Sequence, residues 1–176
     1  MSSDYAKSVF RHILDWLRAN SKPKSKIAMQ KILFYLQEKG MPLGFDFQPY
    51  SYGPFSRQVM ETASELQNEG VISVGKTEYT LEPGFSDTLS DEDCRKVDAH
   101  LERFLGLHRH DFSFGTLELY GTVLYCIQAL NEIGREADLD SVFQEVKAWK
   151  GSKFSEQAIS TAYESLAEDF IIETQA

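Results

Sequence analysis

The chain has 176 residues, with 18 Lys+Arg against 27 Asp+Glu and a formal net charge of -9. Its length suggests one domain or two small lobes sharing a core, and 42% hydrophobic with 12% aromatic content excludes a disordered chain. Residues 1–53 hold eight basic and four acidic side chains and residues 54–176 hold ten and twenty-three, which excludes a nucleic-acid coat over the whole surface but not a local basic site.

The first predicted helix covers residues 4–20, where Val9, Phe10, Ile13, Leu14, Trp16 and Leu17 recur at helical spacing and Asp4 is placed to cap. Pro23 breaks it. A second helix covers 25–39 and stops at Gly40. Residues 41–55 read as irregular to extended, rich in Phe and Tyr and punctuated by Pro42, Pro49 and Gly53-Pro54. A third helix runs from Ser56 to Gly70, and residues 71–74 and 78–81 alternate like a short hairpin. The rest is helical: 90–105, 116–133, 139–149 and 155–169, before Ile171-Ile172. The expected fold is mainly α, with about seven helices and a short β-hairpin. Residues 1–89 would form a winged-helix-like lobe, and 90–176 a helical lobe packed on it.

Residues 55–72 and 154–171 share eight identities in eighteen positions, including Phe55/Phe154 and Ser56/Ser155. In each copy a Ser can cap the helix while the preceding Phe staples onto its fourth residue. Two readings stay open: independent use of one start signal, or a second winged-helix-like unit at the C-terminus.

The candidate recognition helix argues against DNA. It offers Arg57 against Glu61, Glu65 and Glu69, a balance that phosphates would repel. The basic run Arg18, Lys22, Lys24, Lys26 and Lys31 has no acid between Asp15 and Glu38. It reads as a solvated helix-helix connection whose cations complement the end of the first helix, or as a contact for an acidic partner, for nucleic acid or for the acidic part of a second copy in a homodimer. The segment Tyr50-Ser-Tyr-Gly-Pro-Phe-Ser56 turns sharply, because Gly53 frees the backbone and Pro54 fixes φ. Alternation places Tyr50 and Tyr52 on one face, as turn residues or as an aromatic ledge for another protein.

Glu118 is the only charged residue between Asp111 and Glu132, so it should reach solvent or pair with Arg57, Arg11 or His12. His108, His110 and Asp111 lack a third ligand at recognisable spacing, and no metal or cofactor is expected. No phosphate loop, dinucleotide fingerprint or nucleophile elbow occurs, so no catalytic residue is assigned. Cys94 and Cys126 read as free thiols. Residues 1–20 lack an uninterrupted apolar core and no stretch suits a membrane helix, which together suggest a cytoplasmic protein.

Gln30-Lys-Ile-Leu-Phe-Tyr-Leu36, the 40–47 segment, Tyr50-Ser-Tyr-Gly-Pro-Phe-Ser56 and a helix ending Glu69-Gly-Val-Ile72 resemble the YwgA-like group of uncharacterised prokaryotic proteins. More distantly they resemble the Panacea antitoxin domain. Leu117-Glu-Leu119, Tyr125, Val146-Lys147 and Lys153-Phe-Ser155 are similar to the YwgA-like group specifically. The tryptophan common near the end of the Panacea helix is replaced by Leu36-Gln37. The resemblance implies an antitoxin-like module that recognises a toxin-like protein by contact.

The leading expectation is therefore a non-enzymatic protein-binding module. Its surface combines Tyr50, Tyr52 and Arg57 with Lys22, Lys24, Lys26 and Lys31, and Gly53, Pro54, Phe55, Ser56, Glu118, Phe154 and Ser155 support it structurally. The alternatives are a winged-helix transcriptional regulator, a defence-island component, or an enzyme of unrecognised type.

Overall fold

The structure, a computed structural model, describes the backbone of residues 2–175 and side chains up to Phe170. The helices are α1 (Asp4–Ala19), α2 (Lys26–Glu38), α3 (Arg57–Asn68), α4 (Asp91–Leu107), α5 (Phe114–Glu132), α6 (Leu139–Lys150) and α7 (Glu156–Gln175). Two antiparallel hairpins complete the fold: β1 (Gln48–Tyr50) with β2 (Gly53–Phe55), and β3 (Ile72–Val74) with β4 (Tyr79–Leu81). The protein is mainly α with short hairpins, as expected. The β1–β2 hairpin lies within the segment that reads as irregular to extended. In its register Pro49 faces Pro54. Neither proline can donate a hydrogen bond, so the pair suits a position where antiparallel strands exchange none.

Serine starts most of the helices. The hydroxyls of Ser3, Ser25, Ser90 and Ser155 accept from the amides of Ala6, Ala28, Asp93 and Ala158, and the Asp138 carboxylate does the same for Ser141. The cap of α1 is thus Ser3, and the expected Asp4 instead supplies first-turn negative charge.

Two helices make the centre. In α2 every residue from Ala28 to Leu36 is buried, including Gln30 and Lys31. Helix α5 buries Leu117, Glu118, Tyr120, Gly121, Val123, Leu124, Cys126 and Leu130. It packs on α2, α6, α7 and β2, while α4 packs on α1, α2 and α7. One apolar cluster runs through both sequence halves, from Val9 and Phe10 on α1 to Ile159 and Leu166 on α7. Cys94 and Cys126 are free. Among the described residues, no helix is long and apolar enough to cross a membrane.

The echo between 55–72 and 154–171 fails in two respects. Ser155 caps its helix, but Ser56 makes no side-chain cap bond. Helix α3 leads into β3, whereas α7 continues through Ile171-Ile172, so no strand follows it among the described residues and the second hairpin-bearing unit is not formed. Isoleucine costs a helix only a few tenths of a kcal/mol. Contacts to α2 fasten this end: Lys39 Nζ lies 2.8 Å from Asp169 Oδ2, to which the Tyr35 hydroxyl donates at 2.7 Å.

Candidate functional site

The Gln30-Lys31 pair on α2 meets the Tyr-Gly-Pro turn directly. The Gln30 amide pairs with the backbone of Ser56 as a neighbouring strand would: Gln30 Nε2 donates to Ser56 O at 3.0 Å, and Ser56 N donates to Gln30 Oε1 at 2.8 Å. Ser56 is fully buried by this clasp. Its hydroxyl donates to Gln58 Oε1 at 3.2 Å, which is why the expected cap is absent. One residue on, Lys31 Nζ donates to Pro54 O at 2.8 Å.

Two glycines make room for the lysine stem. A Cβ on Gly53, where φ is +98°, would lie 3.2 Å from Lys31 Cε and 3.3 Å from Thr122 Oγ1. A Cβ on Gly121 would lie 2.9 Å from Lys31 Cδ and 3.3 Å from Pro54 Cδ. The hairpin therefore rests on α5 with the Lys31 chain pressed between them.

Glu118 completes this layer, but with partners other than Arg57, Arg11 or His12. Its carboxylate lies 2.8 Å from Lys153 Nζ and 3.1 Å from Lys150 Nζ. Lys150 Nζ also donates to the backbone oxygen of Ser51 and sits 3.4 Å from that of Tyr50. Arg11 is spent on Ser86 O, and His12 on Asp87 and Asp98. Burial pushes the Lys31 amine down to about 7; Glu118 opposes that shift and Lys150 reinforces it. The cluster joins α2, α5, α6 and the hairpin, and its lysine amines face backbone carbonyls and Glu118. Chemically it is a fastening.

Outside this fastening lies an apolar groove of about 460 Å³. Ile27, Phe55 and Tyr79 contribute to its lining, Tyr50, Tyr52, Met60 and Phe114 line it with exposed side chains, and Lys26 and Lys31 add the basic groups. Among the described residues the exposed large hydrophobics are Tyr50 (50%), Tyr52 (54%), Met60 (47%), Phe114 (54%) and Ile133 (67%). The first four line this one groove. Tyr52 and Phe114 meet edge to face at 5.1 Å, as do Tyr50 and Phe55, and Lys153 Nζ sits 5.4 Å from the Tyr52 ring centre. Sequence reasoning reaches Tyr50 and Tyr52 but misses Met60 and Phe114. Phe114 had a signal, since it directly follows the helix-starting Ser113.

The basic run does not form one patch. Lys31 is buried in the fastening. Lys22 Nζ donates to His110 O at 3.1 Å and lies 5.8 Å from the Phe112 ring centre. Exposed Arg18 pairs with Asp15. Lys24 and Lys26 remain partly exposed, and Lys26 borders the groove. Arg57 is exposed beside Met60 and Glu61 on a neighbouring depression. On α3, Glu65 and Glu69 face Lys7 at 3.6 and 2.6 Å, while Glu61 is exposed.

The two histidines before Asp111 diverge. His108 is buried among Phe104, Phe112 and Tyr120, with Nδ1 2.7 Å from Phe104 O, and burial pushes it down to about 4. His110 is exposed. Phe154 is half-buried and packs against the core.

The Gln30-Lys31 pair and the Gly53-Pro54-Phe55-Ser56 segment are thus hydrogen-bonded to each other. No family model matches the chain, and no curated protein matches it.

Proposed function

We propose that the protein is a non-enzymatic protein-binding module, and that the groove behind the Tyr-Gly-Pro turn takes an apolar side chain of a partner protein. The observation that carries this is the gathering of Tyr50, Tyr52, Met60 and Phe114, all about half exposed, around one cavity. Such a cluster of half-exposed aromatics keeps a cost in water that a partner removes, and tyrosine tolerates both states. The charges beside it, Lys26 and Lys153, favour an acidic flank on the incoming segment. Gly53, Pro54 and Ser56 act from behind, because the clasp by Gln30 and Lys31 sets the shape of the wall before a partner arrives. A toxin-like partner, as the family resemblance implies, is one instance of this reading.

A random-peptide display selection against the full chain tests it. Enriched peptides should share a large apolar anchor next to Asp or Glu, and Phe114→Ala or Tyr52→Ala should weaken them at least tenfold, about 1.4 kcal/mol. No enrichment, or binding that survives both substitutions, would contradict the proposal. Tight, steeply salt-dependent binding to duplex DNA would instead favour the regulator reading.

A further inference from the structure

A second polar cluster lies away from the groove, where α1 meets the loop after β4 and the first turns of α4. His12 is buried, with 8% exposure. Its Nδ1 lies 2.5 Å from Asp87 Oδ2 and 3.6 Å from Cys94 Sγ, and the sulfur lies 3.5 Å from the same Asp87 oxygen. On the other side of the ring, Nε2 meets Asp98 Oδ1 at 2.6 Å. Asp87 is itself oriented, because its Oδ1 accepts from the Leu89 amide at 3.0 Å. Imidazole, thiol and carboxylate thus place three donor atoms within 4.8 Å of one another.

We propose that His12, Cys94 and Asp87 form a zinc site, with Asp98 as the outer carboxylate that orients the imidazole. Tetrahedral zinc with bonds of about 2.3 Å to sulfur and about 2.0 Å to nitrogen and oxygen spaces its ligands roughly 3.3–3.6 Å apart. The two edges that involve Cys94 already have this length. The third, between His12 and Asp87, has to open by less than about 1 Å, which a turn of the 30% exposed Asp87 side chain supplies. Binding displaces the protons of the sulfur and of Nδ1, whose place the ion takes.

The donor set selects the metal. A thiolate disfavours calcium and magnesium, which take oxygen, and one sulfur with one imidazole and one carboxylate suits zinc. Asp98 supplies the outer contact that fixes which ring nitrogen faces the metal, and Leu89 does the same for Asp87. Three protein ligands leave a fourth position for water. The site would fasten the 83–90 loop and α4 to α1. Sequence spacing hides it: His12 lies 75 residues from Asp87 and has no ligand partner nearby in the chain.

The test uses tag-free, metal-stripped full chain, titrated with zinc against a chromophoric chelator. One zinc per chain and a raised melting temperature are expected. Cobalt in place of zinc should give a thiolate-to-metal charge-transfer band that disappears in Cys94→Ser. Asp98→Asn should keep that band while lowering zinc affinity ten- to a hundredfold. His110→Ala, which removes the exposed imidazole, should leave the zinc stoichiometry and the cobalt band unchanged. Uptake well below one zinc per chain at micromolar free metal would overturn the proposal. So would a cobalt spectrum without the thiolate band, or zinc affinity unmoved by Asp98→Asn in a variant with wild-type circular dichroism.

Discussion

The two polar clusters differ in what their atoms face. Around Lys31, each lysine amine ends on a backbone carbonyl or on Glu118, and two glycines close the remaining space. Around His12, a sulfur and a carboxylate oxygen crowd one ring nitrogen from a partly exposed side. A cluster whose groups are satisfied by backbone shapes the fold, here by holding the hairpin that walls the groove. A cluster whose side-chain donors converge on one point is arranged for something placed between them.

That contrast breaks first at Glu118. Glu118→Gln leaves the buried Lys150 without its charge partner, and a loss of about 3–5 kcal/mol in urea unfolding is expected. A loss under about 1 kcal/mol would mean that the Lys31 layer is no fastening.

Gly121→Ala comes next. Its Cβ would press on Lys31 Cδ and Pro54 Cδ, for a cost of about 1–3 kcal/mol. Gly106→Ala on α4, where a Cβ meets nothing within 4 Å, should stabilise by up to about 1 kcal/mol. Equal effects at the two sites would show that the lysine stem is not clamped.

A third effect is electrostatic. Lys31 falls to about 7 in the folded protein from 10.5. Between those values the unfolded chain binds more protons, so this residue's contribution to stability rises as pH increases from about 7. Relative to Lys31→Met, wild type should gain about 2 kcal/mol between about pH 7 and pH 9, read from paired urea midpoints. A flat difference would place the amine in contact with water.

How far these features are legible in the sequence follows from their range. Helix starts at Ser25, Ser90 and Ser155 depend on residues three apart, so local pattern finds them. Ser56 has the same local pattern, yet its backbone is taken by Gln30, twenty-six residues earlier, and no window on the chain contains both facts. The sharp turn at Gly53-Pro54 is readable, but the hairpin is not, since Pro49 and Pro54 argue against strands until they are seen to face each other. Lys31 belongs to the basic run by sequence and to the interior by structure, because α2 is buried all round and its period gives no outside face. At the groove, Tyr50 and Tyr52 announce themselves within one motif. Met60 and Phe114 arrive from α3 and α5, and only packing brings them to it.

On the proposed function, this groove binds a protein segment through its aromatic walls. Calorimetric titration of a selected peptide into wild type, Tyr52→Ala, Phe114→Ala and a Lys26→Glu variant measures it directly. At least a tenfold weaker Kd is expected for either aromatic truncation, with a smaller, salt-sensitive loss for Lys26→Glu. Equal affinities across all four proteins would contradict it.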